Sequence, residues 1–309
     1  MLSRRIIRVK VMQALFTWHT TPELTTSDIL RFYDQAVNAS YDLLSYHLYL
    51  LVKSTSHAQE DNDRRKTKLL PTDLDKKFTP KLFTNKMTQS IAKDKEITGN
   101  WEKIDAASFT PEDFTKKLYK TFSLSESYLG YVQNESSDEA DKEILLTFYK
   151  DLVKQEFFNE TVEDYYYNWL DDESIIVGTM KKILKALPEL SLYDRYGPSQ
   201  ETIVDFGRNL LSYILENDKE IIQIVEPLIE NWDIDRVATI DMIFLKMAIA
   251  EMIIFPSIPT KVTINEYVDL TKIYSTDKSK EFINGILDKV LQTLSEDKKI
   301  IKSGRGLHP

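Results

Sequence analysis

Two neighbouring stretches decide the fold of this chain: Lys261-Val-Thr-Ile-Asn-Glu-Tyr-Val-Asp-Leu-Thr-Lys-Ile-Tyr274 and Lys280-Glu-Phe-Ile-Asn-Gly-Ile-Leu-Asp-Lys-Val290. In the first, Thr263 is followed three residues later by Glu266, the spacing of a capping box, which predicts the start of a helix. In the second, apolar residues recur at intervals of three and four, the pattern of a helix with one buried face. Residues 275–277 between them are Ser, Thr and Asp, which are good N-caps. Both stretches are therefore predicted to be amphipathic helices.

Gly285 lies inside the apolar stripe of the second helix. A glycine at such a position weakens a helix by roughly 1 kcal/mol relative to alanine. Because an isolated helical glycine usually has a packing or functional reason, we expect it to pack closely against another helix.

The first helix of the chain is predicted over residues 3–18, with Ser3 as its N-cap. One face is apolar and the other carries Arg4, Arg5 and Arg8. Guanidinium groups in this arrangement suit the phosphates of an RNA backbone. A solvated basic face or an amphipathic interface helix would show the same pattern.

These residues also carry a resemblance to a known family. Val262-Thr-Ile-Asn-Glu266 and Phe282-Ile-Asn-Gly-Ile-Leu-Asp288 are similar to the signature of the NusB family, small all-helical RNA-binding factors of bacterial transcription antitermination. Gln13-Ala-Leu-Phe16 resembles the end of that family's arginine-rich first helix. The resemblance implies an all-α protein, a NusB-like helical bundle with an additional helical region inserted after the first helix.

A third segment, which contains Trp232, Arg236, Asp241 and Glu251, resembles the corresponding NusB helix. We expect its three charged residues to form ion pairs and caps that fix the order of the helices, and we do not assign them to RNA.

The resemblance divides the chain into parts. Residues 1–20 and 199–295 would form the NusB-like core, and residues 21–198 would be a helical insertion. Within it, residues 54–80 are charged and lack periodicity, which indicates an exposed linker. Residues 296–309 are expected to be a disordered tail.

The linker contains a basic run, Arg64, Arg65, Lys66 and Lys68. These side chains could contact RNA, but a run of charges is more often simply solvated.

The function implied by the resemblance is transcription antitermination. The protein would bind the single-stranded boxA element of nascent ribosomal RNA leader transcripts together with the ribosomal protein NusE, within the RNA polymerase antitermination complex. Carried over position by position, the RNA-binding residues would be Arg4, Arg5, Arg8, Phe16, Lys278, Lys280 and Phe282. For Phe282, stacking on a base and packing in the core are equally good interpretations.

Composition limits the other possibilities. The chain of 309 residues has no cysteine, which excludes thiolate nucleophiles and fits a reducing compartment. It has no P-loop, GxGxxG, HExxH or GxSxG motif, and its four histidines are scattered. No apolar run approaches the ~20 residues of a membrane span. We therefore expect a cytoplasmic protein that is not an enzyme, needs no cofactor or metal and does not bind membranes.

The main alternative is a helical adaptor that has lost RNA binding. The formal net charge is −9, and residues 101–176 alone contain 18 acidic and 7 basic residues. An acidic insertion of this kind could hold a basic protein, while the rest of the chain is slightly basic and keeps the option of an RNA-binding face. A homodimer that buries the basic first helix is a further possibility left open by the sequence.

Overall fold

A computed structural model describes residues 1–189, 195–229, 237–276 and 278–303. The described residues form helices and no strand, so the predicted all-α class is confirmed. The helices before residue 190 are α1 (Arg4–Thr20), α2 (Thr26–Lys66), α3 (Asp73–Lys77), α4 (Lys81–Thr84), α5 (Lys86–Ala92), α6 (Lys95–Lys103), α7 (Ala106–Phe109), α8 (Glu112–Ser123), α9 (Glu126–Gln133), α10 (Asp138–Leu152), α11 (Glu156–Tyr165) and α12 (Trp169–Ala186).

The helices after residue 194 begin with a π-helical segment, Glu201–Arg208, which continues directly into α13 (Asn209–Val225). A short 3₁₀ helix (Glu226–Leu228) follows, and then α14 (Thr239–Ile254), α15 (Thr260–Tyr274) and α16 (Ser279–Glu296). Among the residues that the structure describes, no helix is long and apolar enough to cross a lipid bilayer.

The chain divides into two compact units. The terminal unit consists of residues 2–37 and 198–309, and the inserted unit consists of residues 38–197 together with Met1. Residues 21–37 were expected in the insertion, but they cluster with the terminal unit. There the hydroxyl of Tyr33 donates a hydrogen bond to the carbonyl oxygen of Ile203 at 2.8 Å, and Asp34 pairs with Arg208.

The predicted linker is wrong over its first half. Residues 54–66 continue α2, which runs for 41 residues to Lys66. Buried side chains at Ala58, Asp61 and Asn62 show that this part of the helix is packed within the inserted unit. The charged residues of this stretch suggested an exposed linker, but several of them form ion pairs within the protein.

The capping box predicted at Thr263 and Glu266 is also wrong. Helix α15 begins three residues earlier, at Thr260, after Pro259 as N-cap. Thr263 is fully buried and its hydroxyl donates to a carboxylate oxygen of Glu251 at 2.9 Å. The two residues therefore serve contacts between helices, not the start of one.

The sequence also predicts a helix capped by Ser199 that runs to about Glu216, and another that starts at Asp235. The first begins as expected, because the Ser199 hydroxyl accepts from the backbone N–H of Thr202 at 3.3 Å. It does not end near Glu216. Helix α13 continues to Val225 through a kink at Asn217, where φ is −118° and ψ is 23°. The start predicted at Asp235 and the residues Trp232 and Arg236 lie outside the described residues.

Close packing by a glycine occurs at Gly207 and not at Gly285. A Cβ on Gly207 would stand 2.0 Å from the Tyr33 hydroxyl oxygen and 2.3 Å from the Ile7 Cγ2 atom. Around Gly285 nothing lies within 4 Å of such a Cβ, and the residue is exposed. The π-helical segment therefore depends on Gly207 to approach α1 and α2.

Alanine substitutions at these two glycines should have opposite effects. G207A should destabilise the protein by about 1–3 kcal/mol, because the added methyl group overlaps two packed side chains. G285A should stabilise it by up to about 1 kcal/mol through helix propensity. Urea unfolding of both variants checks this, and equal stability of G207A and the parent protein would contradict the packing described.

Candidate nucleic-acid interface

The carboxylate of Glu251 is the centre of a buried cluster in the terminal unit. Glu251 is 0 % exposed, and each of its oxygens accepts two hydrogen bonds. Arg8 donates Nε and Nη2 to it at 2.8 and 2.7 Å, and the hydroxyls of Thr263 and Tyr267 complete the set at 2.9 Å each. The cluster thereby ties α1, α14 and α15 together.

Arg8 is held in this cluster on every side. Its side chain is 4 % exposed, its Nη1 lies 3.3 Å from a carboxylate oxygen of Glu266, and its guanidinium carbon lies 5.1 Å from the ring centroid of Phe206. Burial disfavours the cation, but the hydrogen bonds to Glu251 and the attraction of Tyr267 and Glu266 outweigh burial, so the pKa of Arg8 is raised. The sequence assigns Arg8 to RNA phosphates, whereas in the structure its guanidinium is buried and three of its five N–H donors bind carboxylates.

Arg4 and Arg5 lie on the same end of α1 and remain accessible. The Arg4 side chain is 41 % exposed and its Nη2 lies 2.9 Å from the exposed carboxylate of Glu201. Arg5 is 38 % exposed and its Nη1 lies 3.8 Å from Glu266 and 3.7 Å from Asp269. These contacts are weak in water, so phosphates can compete for both side chains.

The different environments of Arg8 and Arg5 predict different costs of mutation. R8Q leaves the buried Glu251 carboxylate without its counter-charge, and loss of one partner of a buried pair costs about 3–5 kcal/mol. R5Q removes only exposed pairs, worth at most about 1 kcal/mol. Chemical denaturation of the two variants measures this difference. A small loss of stability in R8Q would show that the cluster is not the support described here.

Two exposed cations stand at the start of α16. Lys278 occupies the N-cap position and Lys280 lies in the first turn, and neither forms an ion pair with another described residue. Phe282 follows them but is only 9 % exposed. In this conformation Phe282 belongs to the core, so of its two interpretations the structure favours packing over stacking on a base.

Phe16 lies one turn before the end of α1 and is 40 % exposed. Beside it a surface groove of about 360 Å³ separates the end of α1 from the start of α14, and it is lined by Leu15, Trp18, His19, Pro22, Asp218, Thr239, Met242, Ile243 and Lys246. Sequence reasoning placed Trp18 only on the apolar face. Its position next to an exposed aromatic residue at the helix end was the available signal for this groove.

The end of α1 and the start of α16 each lie near the first turn of α14. Ser275, just before α16, donates its hydroxyl to Asp241 in the first turn of α14 at 2.6 Å and also contacts Ser279 at 3.0 Å. The groove brings the end of α1 to the same turn of α14. Phe16, Lys278 and Lys280 therefore occupy one end of the terminal unit.

Arg4 and Arg5 belong to a second group, farther along α14. Arg8, one turn away on α1, pairs with Glu251, which follows Asp241 by ten residues, or about 15 Å of helix. Five of the predicted RNA-binding residues thus fall into two exposed groups. The other two, Arg8 and Phe282, are buried at separate places. Sequence reasoning missed the carboxylates of Glu201, Glu266 and Asp269 beside the arginines, because they are distant in sequence.

A model of the NusB family matches residues 164–292. The chain is similar to proteins named transcription antitermination protein NusB. It is 38 % identical to the one from Salinibacter ruber over 103 residues (33 % of this chain, 64 % of the relative). It is 39 % identical to the one from Chloroherpeton thalassium over 103 residues (33 % and 49 %). It is 37 % identical to the one from Natranaerobius thermophilus over 126 residues (41 % and 84 %).

The matched segment spans about half to two thirds of the length of the first two relatives and most of the third. The family match starts at residue 164, inside the stretch expected to be an insertion, and it does not include residues 1–20. The place of α1 in a NusB-like core rests on the resemblance of its sequence and on its packing with α14 and α15. No solved structure gives a significant match to the chain.

Proposed function

The chain belongs to the NusB family, and we propose that it acts as a transcription antitermination factor in the cytoplasm. It would bind the boxA element of nascent ribosomal RNA leader transcripts together with the ribosomal protein NusE, and so help to assemble the antitermination complex on RNA polymerase. A binding role of this kind needs neither a catalytic residue nor a cofactor.

The observation that carries the proposal is the set of exposed groups at one end of the terminal unit. Phe16 is exposed at the end of α1, and Lys278 and Lys280 are exposed at the start of α16, with the start of α14 adjoining both. An exposed aromatic ring and free cations at the same end of a protein can bind unpaired bases together with their phosphates. Stacking on one such ring contributes ~1–3 kcal/mol per base.

Arg4 and Arg5 would extend this surface along α1. Their carboxylate partners are exposed on Glu201 and half-exposed on Asp269, so the exchange of a carboxylate for a phosphate costs little. Arg8 contributes only indirectly, because it holds α1 in place against Glu251. Phe282 also contributes indirectly, because its packing in the core fixes the first turn of α16.

The adaptor remains the competing proposal, because the acidic stretch at residues 101–176 suits a basic protein. NusE itself could be such a partner, and a homodimer could cover the exposed groups. The two proposals differ in their dependence on RNA sequence and salt.

A fluorescence-anisotropy titration with short boxA RNA and a scrambled RNA of equal composition tests the proposed function. We expect a preference for boxA that sharpens when NusE is present. The affinity should fall with salt at a log–log slope of about −0.7 for each phosphate contacted. Equal, feeble binding of both RNAs would support the adaptor instead.

The lysines at the start of α16 should contribute directly to this binding. The double variant K278E/K280E should bind boxA RNA at least about tenfold more weakly, since each exposed cation contributes up to about 1 kcal/mol and its reversal adds repulsion. K289E is the matched control, because Lys289 is an exposed lysine farther along the same helix. Equal losses in both variants would show a general effect of net charge and would remove the start of α16 from the site.

A further inference from the structure

The inserted unit contains a polar cleft that the proposed function does not use. It has a volume of about 320 Å³ and lies between the second half of α2 and the helix α8. Its lining residues are His57, Glu60, Asp61, Arg64, Lys116, Tyr119, Lys120 and Ser123. Each of them carries a polar or charged group, and the stems of the same side chains add apolar surface to the walls.

The acidic groups of the cleft are neutralised within the protein. Asp61 is 5 % exposed and accepts hydrogen bonds from Arg64, from Arg65 Nε at 3.0 Å and from the Tyr119 hydroxyl at 3.2 Å. Burial opposes ionisation of Asp61, but the two arginines outweigh it and lower its pKa. The Asp61 carboxylate therefore remains ionised and paired with the two arginines.

Glu60 is neutralised in the same way. Its Oε2 lies 3.2 Å from the ammonium of Lys116, and its Oε1 lies 3.3 Å from Nδ1 of His57, whose other ring nitrogen contacts Thr115. Burial lowers the pKa of His57, so its imidazole is neutral near pH 7 and adds no charge to the cleft.

The cations of the cleft exceed these acids. Lys120 forms no ion pair with any other described residue and is exposed. Arg64 is 73 % exposed, and its contact with Asp61 leaves most of its N–H donors open. Lys116 is 56 % exposed, and its neighbour Lys117 is exposed as well. Within the strongly acidic stretch 101–176, three of the 7 basic residues thus lie on one helix, α8.

We propose that this cleft, through the cations of Arg64, Lys116 and Lys120, binds the phosphates of single-stranded RNA that flanks the boxA element. A guanidinium and two ammonium groups around a polar cavity match the several oxygens of a phosphodiester. The inference rests on the proposed function, since it assigns to the inserted unit a second contact with the same transcript. It gives Arg64, the first residue of the basic run, a role together with lysines from a separate helix.

The test compares two RNAs on the full chain: boxA alone, and boxA with long single-stranded flanks on both sides. The flanks should increase the affinity of the parent protein. K120E should remove that increase, a loss of roughly fivefold, as expected for about 1 kcal/mol at one exposed charge. It should also make the salt slope for the long RNA shallower by about 0.7. Its affinity for boxA alone should be unchanged.

K150E serves as the matched control, because Lys150 is an exposed lysine on α10 of the same unit, outside the cleft. The inference is overturned if the flanks add no affinity, or if K150E weakens the long RNA as much as K120E does. Failure of boxA alone to bind would instead refute the proposed function, so the two failures are distinguishable.

Discussion

The ion pair between Arg8 and Glu251 is the constraint on which the terminal unit depends. A buried carboxylate is tolerated only when its charge and lone pairs are satisfied, and here one arginine and two hydroxyls accomplish this. Because these groups come from three helices, the position of α1 against α14 and α15 follows from one local requirement.

This constraint separates residues that hold the helices together from residues that are exposed for the proposed binding of RNA. The family signature around Thr263 and Glu266 serves mainly the buried cluster, whereas Phe16, Lys278 and Lys280 are free to meet a ligand. Arg8 and Phe282 were expected in the interface but lie beneath it. A substitution in the cluster would therefore impair function by loosening the fold, while a substitution at α16 would impair binding alone.

Local patterns predicted much of the fold. The helical class, the Ser3 cap and the apolar stripe of α16 all follow from spacing in the sequence. Partners distant in sequence could not be predicted, and Arg8 and Glu251 are separated by 243 residues. Arg4 and Arg8 look equivalent on a helical face, yet one is exposed and the other buried. The same limit explains Thr263, whose capping-box spacing also occurs inside a helix, and Gly285, whose open surroundings depend on the tertiary structure.

BoxA RNA is proposed to bind at the end of the terminal unit where α1 ends and α16 begins. Photo-cross-linking of a short boxA RNA that carries 4-thiouridine, followed by mass spectrometry of the labelled peptides, tests it most directly. We predict adducts on the peptides that contain Phe16 and Lys278 to Lys280, and weaker labelling with scrambled RNA. Adducts confined to residues 38–197, or labelling that does not depend on RNA sequence, would contradict the claim.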